Sequence, residues 1–282
     1  MESGFCTAES LTDALTQGDR FVAALGCTAA PNVIDCINAH NTSAILHALP
    51  SSFVTGTGAK WGPVIDGVTI VRNPLQTLRS GQFNQVPLLL GTNTNEATYF
   101  VYPTYPSALS AEQYTSIVGT VVDNRPEIAR QYLALFPPVS GDNRATLASF
   151  LTDWLFRCPT HYIAMLFDAM DVSAYLYRFN HAPNCSLFPA NWGVYHTAEL
   201  SFVFDHPYPR SCNFTSAEET FASNVGSYWA SMASRGSPNF VGSIKYWPSF
   251  HLVHQQNIVL DLTISVEDFQ DSQSCSIWMQ VC

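Results

Sequence analysis

The chain has 282 residues, 47% of them hydrophobic and 12% charged, with a formal net charge of −10. That composition excludes a disordered chain and a solvated coiled coil, and the length is enough to bury one large core or two small ones. With only 12 Lys+Arg and no basic run, it argues against nucleic acid as a partner.

Residues 9–25 repeat apolar positions at helical spacing (Leu11, Ala14, Leu15, Val22, Leu25), which predicts a helix stopping at Gly26. Short helices are expected over 33–39 and 43–49, and residues 50–63 read as loop. Val64-Ile65-Asp66-Gly67 reads as a turn, and Pro74 is expected to break any strand. Val86-Pro87-Leu88-Leu89-Leu90-Gly91 is a continuous apolar run ending at Gly, which suits a strand buried on both faces of a parallel sheet. Ser110-x-x-Gln113 predicts a capping box. Pro126 suits the first turn of a helix running to about Phe136. Residues 144–170 have a helical pattern with a break expected at Pro159. Residues 173–179 predict a second buried strand. Ser216-x-x-Glu219 is expected to cap a helix that runs through Trp229 to Ser234 and ends at Gly236 and Pro238. Ile258-Val259-Leu260-Asp261-Leu262 predicts a third strand. Strands separated by long helical stretches predict the α/β class, and the absence of repeats or linkers makes 1–282 one domain or part of one.

The eight cysteines form no C-x-x-C pair, which weakens zinc and thioredoxin-like readings; an even count fits disulfides and an oxidising compartment. Three glycosylation sequons begin at Asn41, Asn184 and Asn213, pointing the same way. The first residues, Met1-Glu2-Ser3-Gly4-Phe5-Cys6, do not form a signal peptide, and no apolar stretch is long enough to cross a membrane. A disulfide-type cysteine set without a secretion signal is reconciled if the chain begins partway through a longer protein.

Two segments carry chemistry. Gly193-Val194-Tyr195-His196, followed by Glu199 and the apolar run Leu200 to Phe204, reads as the loop of a general base. Upstream, Gly91-Thr92-Asn93-Thr94-Asn95-Glu96 reads as a matching acid loop. In α/β-hydrolases the triad order is Ser, then Asp or Glu, then His, on loops past the carboxyl ends of strands. Glu96 follows the first buried strand and His196 follows the second. On placement alone, Glu96 reads as an ordinary surface carboxylate, and His196 reads equally well as an ordinary surface or core histidine.

The surrounding motifs resemble the type-B carboxylesterase and cholinesterase family. They are Trp61-Gly62-Pro63-Val64-Ile65-Asp66-Gly67, the stretch from Ser80-Gly81-Gln82-Phe83-Asn84 into the Glu96 loop, Tyr228-Trp229-Ala230, Gly236-Ser237-Pro238-Asn239 and Cys275-Ser276-Ile277-Trp278. The resemblance implies an α/β-hydrolase fold, here the C-terminal portion of a mostly parallel sheet flanked by helices, lacking the first strands and the nucleophile elbow. It implies a carboxylic ester hydrolase with a Ser-Glu-His triad, with Glu96 as acid and His196 as base. Glu199 becomes a second carboxylate near the base, and Tyr99 and Phe100 become aromatics beside the substrate pocket. It also implies disulfides Cys27–Cys36 and Cys158–Cys275, a small-molecule ester substrate, no metal or other cofactor, and a secreted or extracellular full-length protein. Cys185 and Cys212 flank the base loop and could pair, Cys6 is unassigned, and Cys282 could join a second chain in a dimer.

One departure is large: no Gly-x-Ser-x-Gly occurs anywhere in the sequence, and the family's glycine-rich oxyanion loop is missing too. Glu2-Ser3-Gly4 resembles the segment just past the nucleophile elbow, so Met1 is expected to be internal to a longer protein. The chain alone is expected to be inactive and poorly soluble. The alternatives are a non-catalytic, cholinesterase-like adhesion or interaction module and a truncated gene-model fragment.

Overall fold

In the computed structural model, which describes residues 8–49, 61–209, 212–268 and 273–281, the chain divides at Ser80 into two units, Cys6–Ser80 and Gly81–Cys282. In the first unit, β1 (Glu9–Ser10) runs directly into α1 (Leu11–Ala24), where the Ser10 hydroxyl accepts from Asp13 N–H and caps the helix. Asn32 and Asn41 cap α2 (Val33–Asn38) and α3 (Thr42–Ala48) in the same way, satisfying N–H groups that a helix start leaves open. The disulfide Cys27–Cys36, with a Cα–Cα distance of 5.8 Å, ties the end of α1 to α2. Most of the expected loop over 50–63 lies outside the described residues.

One expectation is corrected here. Val64–Ile65 is not a turn but a two-residue strand, β2, paired in parallel with β1. The turn comes after it, where the Asp66 carboxylate accepts from the N–H groups of Val68, Thr69 and Ile70. No strand runs through Pro74, as expected; it opens α4 (Pro74–Arg79), because the first turn of a helix loses nothing when an N–H is missing.

The second unit is built on a four-stranded sheet in the order β3 (Leu88–Asn93), β4 (Ala174–Phe179), β5 (Gln256–Leu260) and β6 (Ser265–Asp268). The first three strands are parallel and β6 is antiparallel, so the mostly parallel α/β sheet expected from the sequence is present. Between β3 and β4 run α5 (Thr98–Thr104), α6 (Ala111–Val121), α7 (Pro126–Leu135), α8 (Arg144–Thr152), a π-helical turn at Asp153–Arg157, and α9 (Cys158–Ala169). Pro159 does not break this last run: it sits in the first turn of α9, and the local departure is the π turn before it. After β4 come α10 (Leu200–Val203), α11 (Ser216–Arg235) and, past the sheet, α12 (Gln273–Trp278).

The two faces of the sheet are covered differently. On one, Leu89, Tyr177, Phe179, Ile258 and Leu260 share a core with Phe202, Phe221, Val225, Tyr228 and Trp247. On the other, α9 and the π turn lie against β3 and β4. Gly91 stands opposite Tyr177 in the register, and any Cβ at that position would collide with the tyrosine ring and carbonyl.

The Ser110/Gln113 capping box is present on α6. The later one is displaced by a residue from expectation: Thr215 and Glu218 form it, not Ser216 and Glu219. The third strand also begins and ends two residues earlier than expected, and β6 was not expected at all. Cys158–Cys275 joins α9 to α12, and Cys185–Cys212 forms the pair that the sequence left open. Cys6 and Cys282 lie outside the described residues.

Candidate acid–base site

Because β3 and β4 are adjacent and parallel, their outgoing loops leave from the same edge of the sheet. The β3 loop carries Glu96, which is 0% exposed. Its Oε1 accepts from the backbone N–H of Asn93 at 2.7 Å. Its Oε2 lies 2.7 Å from His196 Nδ1. An ionised carboxylate can only accept, so Nδ1 carries the proton in this contact and Nε2 is the basic nitrogen. The imidazole is about a quarter exposed, at 27% of its side chain.

The base loop is stitched directly to the acid loop. Asn95 N–H donates to Val194 O at 2.9 Å, and Val194 N–H donates to Asn95 Oδ1 at 3.0 Å. The Thr98 hydroxyl lies 2.6 Å from Asn95 O and 2.7 Å from Trp192 O. Gly193 makes this approach possible. Its φ of 59° with ψ of −132° is accessible to glycine and almost nothing else, and a Cβ there would strike the Asn95 side chain. Thr197, just past the base, holds φ at 81°, an unusual value for a β-branched residue.

Glu199 is also buried, at 3% exposure. It accepts a hydrogen bond from Asn93 Nδ2, which also donates to Tyr195 O at 2.8 Å. Asn93 therefore holds the acid through its backbone, and the second carboxylate and the base loop through its side chain. It was not among the residues singled out from the sequence; its only signal there is an amide at the end of a buried strand.

Burial disfavours the His196 imidazolium, but the Glu96 hydrogen bond and the charges of Glu96 and Glu199 outweigh it, raising the pKa above the ordinary 6.5. Burial also pushes the Tyr195 phenol up to about 12, helped by Tyr99 and Glu199.

The two pocket candidates pack edge to face, with ring centroids 5.2 Å apart, and both lie beside the base. Phe100 packs on the base, with its ring centroid 5.1 Å from the imidazole, and Phe156 of the π turn lies at 5.4 Å. Tyr99 is 38% exposed and lines a cleft of ≈450 Å³ with Phe188, Tyr195, Thr197, Leu200 and Phe204. The three sequon asparagines, Asn41, Asn184 and Asn213, are all exposed.

A buried glutamate orienting an imidazole across neighbouring parallel strands is the acid–base arrangement of an α/β-hydrolase. The chain belongs to the carboxylesterase family, whose model matches residues 1–278. It is 27% identical to an acetylcholinesterase of Leptinotarsa decemlineata, over 77% of this chain and 37% of that protein. It is likewise 27% identical to an acetylcholinesterase of Electrophorus electricus, over 77% of this chain and 42% of that one. A crystal protein of Dictyostelium discoideum is 28% identical over 88% of this chain and 47% of its own length. The chain thus spans less than half the length of these relatives.

Proposed function

We propose that this chain carries the acid and the base of a serine-type carboxylic ester hydrolase, with Glu96 and His196 in those roles. The contact of 2.7 Å between Glu96 Oε2 and His196 Nδ1 supports this most strongly. A carboxylate on Nδ1 selects the tautomer whose Nε2 accepts a proton, and stabilises the imidazolium that results. In a Ser-Glu-His triad the serine oxygen attacks the ester carbonyl as Nε2 takes the hydroxyl proton. The tetrahedral intermediate expels the alcohol, which receives that proton, and water then repeats the sequence on the acyl-enzyme. Glu199 adds a second negative charge beside the base, and Tyr99 supplies an apolar wall for an ester of unassigned acyl length.

No Gly-x-Ser-x-Gly occurs in the sequence, so the nucleophile and oxyanion donors of this reading come from outside it. The disulfides and exposed sequons support a secreted, glycosylated full-length protein; among the described residues no helix is long and apolar enough to cross a membrane.

The test has two arms. The isolated chain is expected to hydrolyse p-nitrophenyl acetate no faster than buffer, with His196→Ala making no difference; His196-dependent turnover by this chain alone would show that it is self-sufficient. The transcript upstream of Met1 is expected to continue in frame into a Gly-x-Ser-x-Gly elbow. In that longer protein, His196→Ala is expected to lower kcat by about 10⁴-fold or more. An active elbow-bearing protein indifferent to Glu96 and His196 would remove the assignment. A stop codon and a genuine start just before Met1 would favour the second reading, a non-catalytic, cholinesterase-like interaction module or a vestigial chain. The retained Glu96–His196 pair weighs against an adhesion module, which has no use for an oriented base.

A further inference from the structure

In the first unit the Cys27 and Cys36 sulfurs and a ring nitrogen of His40 lie within 4.8 Å of one another. His40 Nε2 stands 3.7 Å from Cys27 Sγ, a contact that the disulfide itself does not require. Cys27 is fully buried, whereas Cys36 and His40 are half-buried. The spacing, Cys27-x8-Cys36-x3-His40, contains no C-x-x-C pair, so nothing in the sequence marks the cluster.

The backbone holds the three residues together without help from the sulfur–sulfur bond. Gly26, with φ of 71°, ends α1, and Cys27 N–H bonds back to Val22 O. Ala30 N–H bonds to Cys27 O, and Asn32 caps α2. The turn of α2 continues past its last residue, with the N–H groups of Ala39 and His40 on Asp35 O and Ile37 O. Cys36 and His40 therefore stand at i and i+4 on one helical face.

Two thiolates and an imidazole are the donors of a zinc site. With Zn–S bonds of about 2.3 Å and Zn–N of about 2.0 Å, a tetrahedral ion sets its sulfur–nitrogen edges at about 3.5 Å. The contact between His40 and Cys27 is already near that length. The thiolate is the metal ligand, so the site exists only after reduction. An external dithiol supplies the two electrons: its thiolate attacks the more exposed sulfur, Cys36, and Cys27 leaves as the thiolate. The reductant's second thiol then closes its own disulfide and frees Cys36.

We propose that Cys27, Cys36 and His40 form a zinc site that opens when their disulfide is reduced, with the fourth position left to water or an added ligand. Zinc binding releases the two thiol protons, and one tie between the end of α1 and α2 is exchanged for another. The site is independent of the catalytic reading.

Cobalt(II) and zinc, added to protein reduced with dithiothreitol and desalted, test it. The reduced chain is expected to take up cobalt with a thiolate charge-transfer band and the intense visible bands of a four-coordinate ion, and zinc is expected to displace it. The unreduced chain should show neither. Cys36→Ser is expected to abolish the bands. His40→Gln is expected to weaken zinc binding by about 100-fold or more, at least what the loss of a residue supporting a metal ligand costs. No uptake of cobalt, or bands and affinity unchanged by either substitution, overturns the proposal. Where reduction costs the fold, zinc is expected to restore the helical circular dichroism, and no recovery overturns it as well.

Discussion

The two carboxylate oxygens of Glu96 have separate tasks: Oε1 is held by the backbone of its own strand and Oε2 orients the imidazole. Titration of the His196 ring by NMR is expected to give a pKa above 6.5, and Glu96→Gln is expected to bring it down, because burial then acts with less opposition. The sign for stability follows from linkage. A folded-state pKa above the unfolded value stabilises fully below pH 6.5, and that contribution disappears as the pH climbs through the raised value. Gly193→Ala is expected to cost about 2–3 kcal/mol, since the new Cβ meets both a disfavoured φ and the Asn95 side chain; urea denaturation measures it, and an unchanged midpoint would mean that the loop relaxes without penalty. The pairing of Glu96 with His196 was legible from the motifs around the two loops and not from placement, which left both residues open. Asn93 was not, because an amide becomes informative only once its partners are known.

Element boundaries turned on single side chains. Thr215→Ala is expected to destabilise the protein by about 1 kcal/mol, whereas Ser216→Ala, inside the first turn of α11, should change little; equal effects would restore the register expected from the sequence. The cap also has a pH signature. Burial opposes the Glu218 charge, but His181 and the Thr215 and Asn184 N–H groups hold its pKa down at about 2 against an ordinary 4.5. Stability from this group is present above pH 4.5 and is lost as pH falls towards 2, a loss that Glu218→Gln should abolish. The long apolar or periodic segments β3, β4, α7 and α11 could be read in advance because burial leaves a pattern in them; α1 was legible from its spacing alone, since Leu11 and Leu15 stand exposed and Gln17 is its one buried residue. The strand β2 and the edge strand β6 could not. One has two residues, and the other, Ser265-Val266-Glu267-Asp268, owes its place to pairing with β5 rather than to its own composition.

For the whole molecule, the bridge between Cys158 and Cys275 closes a sequence separation of 117 residues. Replacing both cysteines by alanine is expected to lower unfolding free energy by about 5 kcal/mol on the loop-entropy model, seen as a large drop in Tm; a drop below about 1 kcal/mol would mean that the unfolded chain is already restrained. β3 stands at one edge of the sheet among the described residues, and an apolar edge strand is a template for further pairing, so the isolated chain is expected to aggregate on concentration. The adjacency of β3 and β4 has an evolutionary side. Hydrogen-bonded strands sit about 4.8 Å apart whatever joins them, so the sheet brings the two loops out side by side, and the bonds between Asn95 and Val194 set the gap between carboxylate and imidazole. The excursion from α6 to α8 can lengthen, shorten or be exchanged for a foreign hairpin without resetting that gauge, which leaves descendants free to vary what surrounds the pair while inheriting its spacing intact.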